Sequence, residues 1–115
     1  MGFAGLPDAG SSTSEAVAAV RFVISARAEA DLFSIYSYSF ERSPAAADRI
    51  IARFFHRFDE LCDFPFLGPD RSKLRASLRG LLADGYIIFY TIEESAVVIV
   101  RVLDGRMNIE QEFLE

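Results

Sequence analysis

Residues 85–92 read GYIIFYTI. A strand sends alternate side chains to opposite faces, so a sheet with one wet face alternates apolar and polar residues. Here both sets are apolar: Tyr86, Ile88, Tyr90 and Ile92 on one side, Ile87 and Phe89 on the other. The next run, AVVIVRVL at 96–103, behaves almost the same way. Val97 and Ile99 share a face with Arg101 and Leu103, while Val98, Val100 and Val102 take the other. Two neighbouring strands that are apolar on both faces need cover on both.

Turn signals mark out the strands. Asp84-Gly85 is a two-residue hairpin signal and Glu94-Ser95 a weaker one. They delimit strands at roughly 74–82, 85–93 and 96–103, with a short strand, VRFVI, at 20–24. Between the first strand and the other three lie two helices. Ser25 is placed to cap a helix from Ala26 to about Arg42, with Ala28, Leu32, Ile35, Tyr36 and Ser39 on one stripe. Ser43-Pro44 restarts the chain as cap plus first-turn proline, and the second helix runs to about Phe64. Its core stripe is Ile51, Phe54, Phe55, Phe58, Leu61 and Cys62; Arg49, Arg53 and Arg57 repeat on a neighbouring face, read as solvated. With about one residue between them, the helices form an antiparallel hairpin. The loop DFPFLGPDRSK at 63–73 follows, with Phe64 and Phe66 expected to tuck onto the hydrophobic cluster.

The order β-α-α-β-β-β predicts an α+β fold: a small antiparallel sheet with the helical hairpin packed on one face. Nothing in residues 20–115 is left to cover the other face. One reading is that it receives apolar surface from another molecule, since exposure of this kind on a monomer marks an interaction site. The other is a strongly twisted sheet that curls over its own side chains, helped by the N-terminal stretch or by homodimerisation.

The bulk numbers fit one domain of ordinary globular make-up: 115 residues, 51% apolar and 25% charged. No apolar run approaches the ~18–20 residues of a membrane span. The single cysteine, Cys62, reads as a small buried hydrophobe in a cytoplasmic protein. A net charge of −5 gives no global pull toward nucleic acid. Residues 1–19, rich in Gly, Ala and Ser, read as a flexible extension before a domain at 20–115.

Four stretches carry a family resemblance. They are SARAEADLFSIYSYSFERSPAAADRII (25–51), LCDFPFLG (61–68), LRASLRGLLADGYIIFYTI (74–92) and RVLDGR (101–106). In this order they resemble the ParE/RelE superfamily of type II toxin–antitoxin toxins, closer to ParE. The resemblance implies a toxin neutralised by a cognate antitoxin that wraps it with helices or an added strand. RelE-like members cut messenger RNA on the ribosome; ParE-like members poison DNA gyrase without cutting RNA.

RNA cleavage needs a base for the 2′-hydroxyl, cations for the phosphate and an acid for the leaving oxygen. Where nuclease relatives often carry Arg on the central strand this chain has Ile87. Where they carry His after the last strand it has Asp104, and where they carry a tail Tyr it has Phe113. The one histidine, His56, reads as a partly exposed helix residue. The expectation is a non-catalytic toxin with no catalytic residue, metal or cofactor. Its expected partners are an antitoxin and DNA gyrase, with no membrane contact, no direct nucleic-acid binding of its own, and a homodimer or toxin–antitoxin hetero-oligomer as the assembly. Arg75, Arg79, Arg101 and Arg106 are the candidate target contacts; pairing with Asp or Glu, within the tail included, is the structural alternative. Ile87, Phe89, Tyr90, Val98 and Val100 are the candidate antitoxin contacts. An RNA endonuclease of RelE type and a non-toxic binding module stand as the alternatives.

Overall fold

Ser25 ends one element and begins the next. In the computed structural model, which describes residues 22–114, strand β1 (Phe22–Ile24) stops at this residue and helix α1 (Ala26–Arg42) starts. The expectation for residues 1–19, and the first part of the strand expected at 20–24, lie outside the described residues. The Ser25 hydroxyl accepts the N–H of Ala28 at 3.1 Å and donates to the Val100 carbonyl at 2.9 Å. It therefore satisfies an unpaired helix donor and ties the helix start to the sheet. Ser43 does similar work at the helical corner. Its side chain accepts from Ala46 N–H at 3.2 Å to start α2 (Pro44–Asp63), while its own N–H donates to the Ser39 carbonyl.

Three strands follow: β2 (Arg79–Ala83), β3 (Tyr86–Glu93) and β4 (Ala96–Asp104), then a single helical turn, α3 (Ile109–Glu112). The sheet order is β1-β4-β3-β2. The α+β class and the helical hairpin are as the sequence predicts. The sheet is mixed, however: β2–β3 and β3–β4 are antiparallel, but β1 runs parallel to β4, Val23 beside Val98. A parallel neighbour needs a long crossover, and the helical hairpin is one.

Both hairpin turns are two residues long. Asp84, Gly85, Glu94 and Ser95 all have positive φ, the geometry that matches strand twist. The strand expected from residue 74 begins only at Arg79. Ser77 has φ 65°, which breaks extended backbone, so Leu74 and Leu78 belong to a turn-rich loop folded back over the sheet.

A register irregularity between Phe89 and Tyr90 changes the faces of β4. Phe89 pairs with Arg101 and Tyr90 with Ile99, leaving Val100 as the extra residue of a bulge. One extra residue reverses the alternation beyond it. Val102 therefore joins Val97 and Ile99 under the helices, and Leu103 goes with Val100 to the far face. This corrects the alternation expected from the sequence, which placed Val102 and Leu103 the other way round.

The larger core lies between helices and sheet. Leu32 from α1, Phe54, Phe58 and Leu61 from α2, and Ile88, Tyr90 and Ile99 from the sheet are all essentially inaccessible to solvent. Phe22 meets Phe58 edge-on at 5.4 Å and Phe54 meets Tyr86 at 5.5 Å. Such ring pairs add about 0.5–1.5 kcal/mol each beyond the area they bury. The expected helix stripes hold, with Ile51, Phe55 and Cys62 half-buried at the core's margin. The Arg stripe of α2 is tied down in part: Arg53 bonds Asp84 at 2.7 Å, and Arg57 reaches both Glu60 and the Leu82 carbonyl on the edge strand.

Candidate site: an arginine cleft on the far face of the sheet

The far face of the sheet is not a bare wall. Leu78, Phe89 and Leu103 form a second, smaller core there. Leu74 from the loop and Ile109 and Phe113 from the tail lie over it. Phe113 meets Phe89 edge-to-face at 5.0 Å. The Arg75 guanidinium lies 5.1 Å from the Phe113 ring and the Arg71 guanidinium 5.4 Å from Phe89. The chain thus covers the centre of this face itself and leaves the margins open. Leu82 is 64% exposed and Val23 41%, with Ile87 and Val98 half-buried beside them; Val100, also half-buried, lies toward the tail.

Of the residues expected to meet an antitoxin, Ile87, Val98 and Val100 keep some surface, while Phe89 and Tyr90 have none. Tyr90 faces the helices because strand alternation sends it there. Its hydroxyl accepts the Gly68 N–H at 2.9 Å and donates to the Pro65 carbonyl at 2.7 Å. This hydroxyl, and not Phe64 or Phe66, pins the 64–70 loop: both phenylalanines are largely exposed, at 64% and 70%. They were expected to be tucked in, but the Pro65 turn directs them outward, and Phe66 lies under the Arg79 guanidinium at 5.1 Å.

The four candidate arginines do not form one cluster. Arg79 holds the loop through a 2.7 Å bond from Nε to the Gly68 carbonyl. Arg106 is 90% exposed and paired with Asp104 at 2.8 Å. These bonds, with the Arg106 N–H, lower the Asp104 pKa to about 2. Arg101 is nearly buried and gripped by Asp31 of α1: Nε to Oδ2 at 2.8 Å, Nη2 to Oδ1 at 3.0 Å. Asp31 also accepts the N–H of Val102, where β4 extends past β1. Hydrogen bonding to Asp31 raises the Arg101 pKa further, so the guanidinium stays charged at any working pH. Its remaining nitrogen, Nη1, faces Glu112 of the tail at 3.5 Å. This is the acidic pairing the sequence left open.

Arg75 and Arg101 do come together. With Arg27, Ser25 and Val100 they line a cleft of about 190 Å³, closed by Glu112 and Phe113. Asp31, Glu112 and Arg27 were not identified from sequence. The Asp31–Arg101 and Glu112–Arg101 pairs join residues far apart in the fold, α1 to β4 and the tail to β4, and no local pattern reports them. Among the described residues no group of three or more His, Cys, Asp or Glu side chains is arranged to hold a metal ion, and no helix is long and apolar enough to cross a membrane. His56 is exposed on α2 beside Arg53 and Arg57.

Residues 22–109 match the family model described as the ParE toxin of type II toxin–antitoxin system, parDE. The chain belongs to the ParE toxin family. Toxin ParE3 of Caulobacter vibrioides is 46% identical over 59 residues, 51% of this chain and 56% of that protein. The match therefore spans little more than half the length of that curated ParE. Toxin RelE3 of the same organism is 34% identical over 77 residues, 66% of this chain and 84% of RelE3. Among solved structures, a chain of the chromosomal ParDE TA system from P. aeruginosa superposes with a TM-score of 0.64 at 17% identity, over 73% of this chain and 94% of that one. At that identity the likeness is one of fold.

Proposed function

We propose that this chain is a cytoplasmic toxin that inhibits DNA gyrase by binding it, and that a cognate antitoxin holds it silent. Its place in the ParE family over residues 22–109 carries the reading. The site chemistry supports binding over RNA cleavage. Ile87 offers no cation, Asp104 is an acceptor committed to Arg106, and the Phe113 ring, seated on Phe89, has no hydroxyl to give a proton. The proposed target contacts are Arg75, Arg79, Arg101 and Arg106 with the tail. The proposed antitoxin contacts are Ile87 and Val98 at the open margins, with Val100 and Phe89 beneath the tail until Phe113 leaves them. The likeness to Toxin RelE3 favours a second reading, a ribosome-dependent messenger RNA endonuclease using the arginine cleft. Expression without antitoxin separates them. Filamentation with induction of the DNA-damage response supports gyrase poisoning. Rapid arrest of translation with cut messages supports the nuclease, and normal growth with the protein present indicates a non-toxic relative.

A further inference from the structure

We propose that the cleft lined by Arg27, Arg75 and Arg101 is a binding site for an acidic side chain followed by an aromatic one on a partner polypeptide, and that Glu112 and Phe113 of the chain's own tail occupy it as a displaceable internal ligand.

The lining carries Arg27, Arg75 and Arg101 beside Glu112, with Asp31 bonded behind Arg101, in a chain of net charge −5. The anchor of the site is rigid. Arg101 spends Nε and Nη2 on Asp31, its side chain is 11% exposed, and the bulge fixes its backbone. That leaves Nη1 as the pole offered to the cleft. Glu112 meets it at 3.5 Å, whereas a well-made guanidinium–carboxylate bond is ~2.7–2.9 Å. The tail's carboxylate makes the longest of the bonds to this guanidinium, against 2.8 and 3.0 Å for the two from Asp31. Beside it, the Phe113 ring uses no hydrogen bond; it rests against Phe89 and beneath Arg75.

The tail is held by side-chain contacts, those of Ile109, Glu112 and Phe113, and gains little from its own backbone structure. It is a four-residue helix, far below the ~12–15 residues at which a helix is even marginally stable alone. Met107 and Leu114 on either side of it are exposed. Its departure uncovers Phe89 and Val100 together with Arg75 and Arg101, an apolar seat and a cationic pole in one place. A polypeptide fits this pair better than a nucleic acid does. The internal occupant is already a carboxylate and a ring, Asp31 neutralises the inner half of Arg101, and the net charge repels a polyanion. Tethering gives the tail a local concentration in the millimolar range, so an outside ligand competes poorly until the tail is weakened.

This deepens the proposed function, resting on its assignment of Arg75 and Arg101 to the contact surface. It is tested without gyrase, so failure here leaves gyrase inhibition standing and the reverse holds too. The probe is a labelled synthetic peptide of residues 104–115, DGRMNIEQEFLE, titrated by fluorescence anisotropy into the full chain. The Glu112→Gln/Phe113→Ala chain is expected to bind it about tenfold or more tighter than wild type does. Adding Arg75→Glu to that chain, or replacing the Glu-Phe of the peptide by Gln-Ala, is expected to abolish the gain. Circular dichroism checks folding, and if the double variant is unfolded, Glu112→Gln alone, which keeps the ring, carries the comparison. Equal binding to wild type and variant overturns the proposal, as does a Gln-Ala peptide that binds as well as the original. A single-stranded oligonucleotide that binds the variant and displaces the peptide overturns the polypeptide assignment in favour of nucleic acid.

Discussion

Asp31 and Arg101 lie 70 residues apart in the chain and meet through two hydrogen bonds of 2.8 and 3.0 Å, both side chains nearly buried. The pair locks α1 to the bulged strand, and the Val102 N–H adds a third bond to the same carboxylate. Removing one partner strands a buried charge, at a cost of about 3–5 kcal/mol. Asp31→Asn is therefore expected to be severely destabilising in urea unfolding. Arg101→Met/Asp31→Leu together is expected to cost clearly less than the sum of the two single changes. Additive losses would show that the pair is not coupled.

The Tyr90 hydroxyl and the Arg79 guanidinium both tie down the loop that ends α2. Tyr90→Phe removes the acceptor for Gly68 N–H and the donor to the Pro65 carbonyl, with an expected cost of about 1–3 kcal/mol. Hydrogen exchange at Gly68 should accelerate more than exchange in the helices. Gly68→Ala attacks the same contact from the other side. Its Cβ would lie 2.8 Å from Tyr90 Cε1 and 3.0 Å from the Gly80 carbonyl carbon, an overpacking expected to cost about 1–3 kcal/mol.

Asp104 supplies a pH marker. Its pKa falls from 3.8 to about 2, so its contribution to stability is complete above about pH 4 and is lost as pH falls through about 2. The carboxyl-carbon shift of Asp104 should show a midpoint near 2 in the wild type. In Arg106→Gln the midpoint should climb toward 3.8. An unchanged midpoint in that variant would mean the Arg106 guanidinium is not the cause, since the N–H at 106 still donates to Asp104.

The Glu94-Ser95 turn carries two non-glycine residues at positive φ, 48° and 73°. A left-handed conformation costs an ordinary residue about 1–2 kcal/mol, and glycine avoids it at an entropic cost of about 0.4–1 kcal/mol. Ser95→Gly is accordingly expected to raise stability by about 0.5–1 kcal/mol, read from the shift of the thermal or urea midpoint.

Local signals were legible and long-range ones were not. Ser25, Ser43-Pro44 and Asp84-Gly85 announce their caps and turns because each acts within three or four residues. The pairing of β1 with β4 has no local signature, since it depends on the helical crossover folding back. The bulge at Val100 is equally silent, because a run of alternating valines reads the same with either register. Leu74 and Leu78 look like strand residues until Ser77 adopts positive φ. The cover over Phe89 comes from a tail whose ring is placed by contacts with Phe89 and Arg75, not by its own sequence pattern. For the same reason the four arginines were identifiable as unusual but not their partners.

The proposed action of this ParE-family chain on gyrase, by binding alone, is open to direct measurement. Its most direct test is a supercoiling assay with purified gyrase and purified chain, run beside a ribosome-bound message. Micromolar chain is expected to block supercoiling and accumulate broken DNA, Arg75→Glu to weaken the effect, and the message to stay whole. Unimpaired gyrase together with a cleaved message would contradict the proposed action.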